Sequence, residues 1–146
     1  MDVIPVSIAI AQAANESGWG TSRFALEGNA LFGQWTWSKK GISPKNKDPD
    51  KSHKILQFQI LKASVRAYKN NLNTHNAYQE FREARARLRQ EDKPIDGLEL
   101  TKYLKKYSSI GEKYVAILED IIEKNSLTDF DKANLLPTKL KTGVAL

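Results

Sequence analysis

A glutamate at the end of an apolar helix is the residue of this sequence best suited to chemistry. Glu16 follows a run of small and apolar residues, and a glycine-flanked tryptophan, Gly18-Trp19-Gly20, comes directly after it. Burial beside an apolar ring disfavours a charged carboxylate and raises its pKa. A carboxyl that keeps its proton near neutral pH can act as a general acid towards a leaving oxygen, and Trp19 can stack on a sugar ring. The alternative is that Glu16 only caps, or pairs with, the loop that follows it.

Several further motifs appear in order along the chain and together resemble one protein family. The resemblance begins in Gln12-Ala13-Ala14-Asn15-Glu16-Ser17-Gly18-Trp19-Gly20 and continues in Asn29-Ala30-Leu31-Phe32-Gly33. Further matches are Ser64-Val65-Arg66-Ala67-Tyr68, Asn71-Leu72-Asn73-Thr74-His75, Ala77-Tyr78 and the set Tyr107-Ser108, Gly111-Glu112 and Tyr114. The chain is thus similar, over roughly residues 3–127, to the glucosaminidases of glycoside hydrolase family 73, and especially to their Bax-type branch.

The resemblance implies a lysozyme-like, mainly helical fold with a small β lobe and a substrate cleft between the two. It implies hydrolysis of the β-1,4 bond between N-acetylglucosamine and N-acetylmuramic acid in peptidoglycan, with Glu16 at the position of the general acid. The alternatives are a muramidase or lytic transglycosylase, which would use the same glutamate on the neighbouring bond, and a non-catalytic glycan-binding module. The family requires no cofactor and no metal, and His53 and His75 have no partners at ligand spacing.

A second acid is expected in the β lobe, at residues 34–59. The acids available there are Asp48 and Asp50, and both lie in a lysine-rich stretch. Paired carboxyls lie about 5–5.5 Å apart in retaining glycosidases and about 6.5–9.5 Å apart in inverting ones. Either aspartate can instead be a solvated loop charge, in which case the acetamido group of the substrate assists the reaction. The sequence leaves these alternatives open.

Aromatic and polar residues are the candidates for contacts with the sugar. Tyr107 matches an active-site tyrosine of the family, whose hydroxyl would orient the acetamido group or a water; the alternative is that it is a core residue. The expected substrate-binding residues are Trp19, Trp35, Trp37, Phe32, Asn29 and Tyr78. Because neighbouring side chains of a strand alternate between its faces, one residue of the pair Trp35 and Trp37 faces the cleft and the other packs.

The elements that must position these residues follow from periodicity and chain breakers. A helix is predicted to begin at Pro5, where the missing N–H is harmless, and to end at Gly18. The segments Gln34–Trp37 and Ile55–Gln59 predict the two strands of a hairpin, and Ser38–Lys54, rich in lysine and proline, predicts a long solvated loop between them.

Helical periodicity returns in the rest of the chain. Apolar residues recur at helical spacing in the sets Leu61-Val65-Tyr68-Leu72, Tyr78-Phe81-Ala84-Leu88 and Tyr114-Ile117-Leu118-Ile121-Ile122. Capping boxes at Asp96 and Ser109 predict two further helix starts. Tyr68 and Tyr114 lie on these apolar stripes, and we expect both to be structural. The predicted fold class is mainly α (α+β), a helical domain with a small β-hairpin lobe.

Length and composition suit a single domain spanning residues 1–146, with an ordered core at about 3–127, an extension at 128–146 and further residues expected upstream. The 40% hydrophobic content argues against disorder, and no apolar run is long enough to insert into a membrane. The net charge of +6 favours a polyanionic partner. No nucleic-acid-binding signature appears, so we do not expect nucleic acid as the partner. We expect a monomer that acts on peptidoglycan glycan strands. That substrate implies a periplasmic or extracellular location in the cell envelope.

Overall fold

The computed structural model describes residues 1–36, 41–43 and 54–134. The α-helices of these residues are α1 (Val6–Ser17), α2 (Arg23–Gly28), α3 (Leu61–Thr74), α4 (Gln79–Gln90), α5 (Gly97–Thr101) and α6 (Glu112–Lys124). The strands are β1 (Trp35–Thr36), β2 (Gly41–Ile42) and β3 (Lys54–Leu56). The short 3₁₀ helices are η1 (Asn76–Tyr78), η2 (Lys102–Tyr107) and η3 (Leu127–Lys132).

Helix α1 lies inside the helical body, where α5, α6 and η3 pack against it. Pro5 precedes its first turn with φ −50° and ψ 136°, the conformation that proline favours at a helix start. The helix ends where the sequence predicts. Gly18 adopts the left-handed conformation, with φ 56°, and its N–H donates to the carbonyl of Ala14. Glu16 is therefore held in the last turn of a helix that is anchored on several sides.

The hydrophobic core is built around α1 by the later helices. Fully buried side chains of this core are Ile8, Tyr68, Leu72, Phe81, Leu100, Leu104, Tyr114, Leu118 and Ile122. The predicted apolar stripe of α3 is wrong at two positions, because Leu61 is 49% exposed and Val65 is 44% exposed, whereas Ser64 is buried. Burial of this polar side chain is tolerated because its hydroxyl accepts a hydrogen bond from the N–H of Leu31 at 3.2 Å. The bond connects α3 to the loop before β1.

The described residues of the β lobe form three strands, where the sequence predicts two. The sheet order is β1-β3-β2, and both pairings are antiparallel. The third strand, β2, lies within the segment predicted as a solvated loop, where Ile42 pairs with Ile55. Two residues beginning with a glycine give too short a pattern for a period-two signal, so the sequence could not indicate this strand.

At one of the two predicted capping boxes, the N-cap hydrogen bond forms. The side chain of Asp96 accepts a hydrogen bond from the N–H of Glu99 at 3.2 Å and caps α5. The box predicted at Ser109 is wrong: α6 begins after Gly111, which has φ 54°, and no side chain caps it. The chain turns sharply at this glycine, so Ser109 lies at the cleft described below instead of at the helix start.

The helical body continues to the end of the described residues. Leu127 is buried, and the Asp131 carboxylate accepts hydrogen bonds from the Ser7 N–H and hydroxyl at 2.8 and 2.7 Å. The predicted fold class, a mainly helical, lysozyme-like domain with a small β lobe, is confirmed. Over residues 1–36, 41–43 and 54–134, no helix combines the length and apolarity that crossing a bilayer requires.

Candidate active site

An open cleft of about 510 Å³ lies where the loop before β1 meets the helical body. Its walls come from that loop, the second half of α3, η1, and the end of η2 with the residues that follow it. The cleft is lined by Glu16, Phe32, Gly33, Gln34, Asn71, Tyr78, Lys106, Tyr107, Ser108 and Ser109. Predicted site residues therefore come together here from segments far apart in the sequence.

The Glu16 carboxyl lies on the floor of this cleft and is half-buried. Burial raises its pKa above the usual value, and hydrogen bonds from the hydroxyl of Tyr114 at 3.0 Å and the amide of Asn15 at 3.2 Å offset part of that effect. The position of Glu16 in the last turn of α1, at the negative end of the helix dipole, also disfavours the charged form. A carboxyl whose pKa is raised and that lines an open cleft has properties that favour a general acid.

A buried hydrogen-bond chain supports this carboxyl from the core side. The Tyr68 hydroxyl donates to Gln12 Oε1 at 2.7 Å, and Gln12 Nε2 donates to the Tyr114 hydroxyl at 2.9 Å. Tyr114 in turn donates to Glu16 Oε1. The interpretation of Tyr114 as purely structural is incomplete, because Tyr114 contacts the candidate acid Glu16 although the two lie 98 positions apart. Its helical spacing gave no signal of this contact.

Tyrosines form the aromatic wall beside the carboxyl. The Tyr107 ring stacks on Tyr114 with centroids 5.6 Å apart, and Tyr78 lies 5.9 Å from Tyr107. Burial raises the pKa of Tyr107 well above its usual value, so its hydroxyl stays protonated. That hydroxyl donates to the carbonyl of Phe32 at 3.1 Å. Tyr107 therefore both lines the cleft and fixes the loop on its opposite side.

The loop before β1 takes part in the cleft through its own predicted residues. Phe32 is buried, lines the cleft and stacks on Tyr68 with ring centroids 3.9 Å apart. Asn29 has a left-handed φ of 49° and ends α2. Its side-chain amide donates to the carbonyl of Phe58 at 3.0 Å. Asn29 therefore contributes to the shape of the loop through its backbone conformation and its hydrogen bond to another protein atom.

The remaining predicted site residues are Trp19, Trp35, Trp37, Asp48 and Asp50. Trp19 is 62% exposed and does not line the cleft. The backbone of Trp35 is part of β1. Trp37, Asp48 and Asp50 lie outside the residues that the structure describes. Among the described side chains, the aromatic residues that line the cleft are Phe32, Tyr78 and Tyr107.

Several polar residues of the cleft carried no role in the sequence analysis. Gln34 Oε1 is buried and has no hydrogen-bond partner among the described residues. The ammonium group of Lys106 lies 3.1 Å from Glu80 at the cleft edge. Asn71 and Ser108 fall inside motifs of the family resemblance, which is the signal that could have found them. Gln34 and Lys106 have no such signal, since only the fold brings them to the cleft.

The described part of the cleft contains one carboxylate, that of Glu16. Within the same described ranges, no group of three or more histidine, aspartate or glutamate side chains lies close enough to hold a metal ion. The chemistry that these residues can perform is therefore proton transfer by one buried acid, surrounded by tyrosine hydroxyls and neutral amides.

Similarity to known proteins agrees with this geometry. Residues 1–127 match the family model Glucosaminidase, described as mannosyl-glycoprotein endo-beta-N-acetylglucosaminidase. The chain belongs to this family. Its membership supports a glycan-hydrolase type of function.

A curated relative places the chain within the glucosaminidase family more closely. The chain is 41% identical over 114 residues to Protein bax of Escherichia coli (strain K12). The alignment covers 78% of this chain and 40% of that relative, so the chain spans about two fifths of the relative's length. The predicted resemblance to the Bax-type branch is thereby confirmed. No solved structure matches the chain.

Proposed function

We propose that this glucosaminidase-family chain is an endo-β-N-acetylglucosaminidase that cleaves the β-1,4 bond after N-acetylglucosamine in peptidoglycan. The observation that carries the proposal is the Glu16 carboxyl, whose pKa is raised by burial while it faces an open cleft. An exposed glutamate would be ionised at neutral pH and unable to donate a proton. Glu16 combines a raised pKa with a place in the wall of an open cleft, and both properties favour a general acid.

In the proposed reaction, the sugar chain lies along the cleft with a glycosidic oxygen above Glu16. The protonated carboxyl donates its hydrogen to that oxygen as the bond to the anomeric carbon breaks, and positive charge develops on the sugar ring. The tyrosine wall of Tyr78 and Tyr107 offers apolar ring faces to the sugar. Gln34 and Asn71, on the facing walls, offer amide groups to an acetamido substituent.

Two groups can complete the reaction. A carboxylate base, for which Asp48 and Asp50 are the sequence candidates, would activate water and invert the anomeric configuration. Attack by the acetamido oxygen of the substrate on the anomeric carbon, followed by water, would retain it. An inverted first product, detected by proton NMR, would identify the carboxylate base, whereas a carboxylate nucleophile and the acetamido group would both give retention.

We also propose that the chain acts in the cell envelope as a monomer, periplasmic or extracellular, because its substrate lies there. The net charge of +6 suits an anionic wall polymer. Lys106, at the edge of the cleft, is placed to meet a carboxylate of the glycan or its peptide.

Digestion of purified peptidoglycan, with mass spectrometry of borohydride-reduced fragments, tests the proposal. We expect new reducing N-acetylglucosamine ends from the parent chain and from the control Glu123→Gln, an exposed glutamate of α6. Glu16→Gln should lose about a hundredfold or more of the rate, the contribution typical of a general acid. Muramic-type ends would identify a muramidase and anhydro ends a lytic transglycosylase. Binding without cleavage would identify a glycan-binding module.

A further inference from the structure

The hydrogen bonds that reach Glu16 from the core run in one direction. In the chain Tyr68–Gln12–Tyr114, called the relay below, each group donates to the next. The Tyr114 hydroxyl carries a single hydrogen, and its oxygen already accepts from Gln12 Nε2 at 2.9 Å. That hydrogen is therefore directed at Glu16 Oε1, 3.0 Å away.

The relay makes Glu16 Oε1 an acceptor. This oxygen also accepts a hydrogen bond from Asn15 Nδ2 at 3.2 Å. With two donors aimed at Oε1, the proton of the neutral carboxylic acid must lie on Oε2. Oε2 faces Gly33 on the cleft wall, where a β-carbon would lie 3.2 Å from it. The relay thus leaves the acid proton on the side of the open cleft.

We propose, resting on the glucosaminidase function above, that Gln12 is a positioning residue that holds the catalytic proton of Glu16 on Oε2 by orienting the Tyr114 hydroxyl. If the Gln12 amide turned over, its oxygen would accept the Tyr114 hydrogen. Glu16 would then donate from Oε1 towards the core, where no glycosidic oxygen can lie.

The surroundings of Gln12 hold its amide in the productive orientation. Gln12 is fully buried and Tyr68 is 1% exposed. A reversed amide would present its NH₂ group to Tyr68, whose hydroxyl hydrogen would then lack its acceptor in a buried site. An unsatisfied buried polar group is costly, so Tyr68 fixes the direction of the whole relay.

Titration of this site reports Glu16 itself. The ionisable groups that face it from the packed elements are Tyr114 on α6, Tyr107 and Lys106 on η2, and Tyr78 on η1. The described cleft residues of α3 and of the loop before β1 are uncharged. Burial raises the pKa of each of the three tyrosines, so they remain neutral while the glutamate titrates.

Gln12→Leu should lower kcat roughly tenfold with KM unchanged, the scale expected when one buried hydrogen bond is lost. The oxygen of the freed Tyr114 hydroxyl can then accept a hydrogen bond from a proton on Glu16 Oε1. This stabilises the neutral acid, so the alkaline limb of the pH profile moves to higher pH. Tyr114→Phe should cost less kcat, because nothing then draws the proton to Oε1. The double variant should behave like Tyr114→Phe alone.

The experiment combines kcat and KM against pH with ¹³C NMR titration of the Glu16 carboxyl in the full chain without substrate. Tyr68→Phe is a milder second variant and should raise the Glu16 pKa in the same direction. Thr101→Val is the control, because it removes a fully buried hydroxyl that lies within hydrogen-bond distance of the Leu98 carbonyl and Glu119 Oε1, outside the relay. It should lower stability and leave the pH profile unchanged.

Additive losses in the double variant, or an unchanged Glu16 pKa in both Gln12→Leu and Tyr68→Phe, would overturn the relay. A parent chain that cleaves no glycan, but whose Glu16 pKa rises in these variants, would refute the proposed function and still support the relay. A parent chain that cleaves glycan, but whose Glu16 pKa is unchanged in both variants, would support the proposed function and refute the relay.

Discussion

The burial of Glu16 that supports its proposed role also lowers the stability of the folded chain. Because burial raises its pKa in the folded chain above the ordinary value of 4.5, ionisation favours the unfolded chain once the pH rises past that value. We predict that Glu16→Gln is more stable than the parent at pH 7, since the amide keeps an acceptor for Tyr114 and carries no charge. The gain should vanish below about pH 4, where the glutamate is protonated in both states. Thermal unfolding at both pH values measures this, and an equal gain at the two would contradict it.

Gly33 gives the acid oxygen its space. A β-carbon at this position would lie 3.2 Å from Glu16 Oε2, and the residue has a left-handed φ of 56°. We predict that Gly33→Ala lowers kcat and destabilises the fold by about 1–2 kcal/mol, the cost of a left-handed conformation for a residue with a β-carbon. Gly20→Ala is the matched control: it has φ 78° with nothing within 4 Å of the new carbon. Denaturant unfolding and kcat should show strain in both variants and lost activity in Gly33→Ala alone; a similar activity loss in both would refute this role.

For individual residues, the sequence predicts the features that depend on near neighbours in the chain. The helix, the glutamate and the terminating glycine lie within a dozen residues, and their types alone indicate a partly buried acid. Tyr114 and Gln12 are 102 positions apart, and no periodicity signals that they share a hydrogen bond. Trp19 shows the opposite limit, because its neighbourhood in sequence suggested contact with the acid, whereas the left-handed turn exposes its ring.

Among the elements, α1 depends on a distant residue for its start. Pro5 gives no side-chain cap, and Asp131 from η3 accepts the Ser7 N–H instead. The same carboxylate accepts the Gly97 N–H at 3.1 Å, so it joins α1, α5 and η3. We predict that Asp131→Ala lowers the free energy of unfolding by about 2–3 kcal/mol, because hydrogen bonds to a charged group are lost together.

The control for this prediction is Asp129→Ala, which changes an exposed aspartate of the same 3₁₀ helix. Urea unfolding of both variants gives the comparison. A loss in Asp131→Ala no greater than in the control would show that η3 does not hold the catalytic helix. Local signals such as Pro5 and Gly18 predict where α1 begins and ends, whereas this support across 124 positions required the fold.

The whole molecule brings the cleft together from segments that the sequence could only treat separately. Helical periodicity was sufficient to predict a mainly helical fold, since it fixes which faces are apolar, whereas the lysozyme-like arrangement was implied by the family resemblance. It does not fix which faces meet, and the tyrosine wall depends on η1, η2 and α6 packing beside α1. The polar cleft residues Gln34 and Lys106 are consequences of that packing.

The measurement that tests the central claim most directly compares two substrates of Glu16→Gln. Native glycan needs a proton on its leaving oxygen, whereas an aryl glycoside of an N-acetylglucosamine oligomer has a leaving group that departs without one. If Glu16 is the general acid, the variant should lose about a hundredfold to ten-thousandfold in kcat on glycan and far less on the aryl glycoside. An equal loss on both substrates would contradict its assignment as the proton donor.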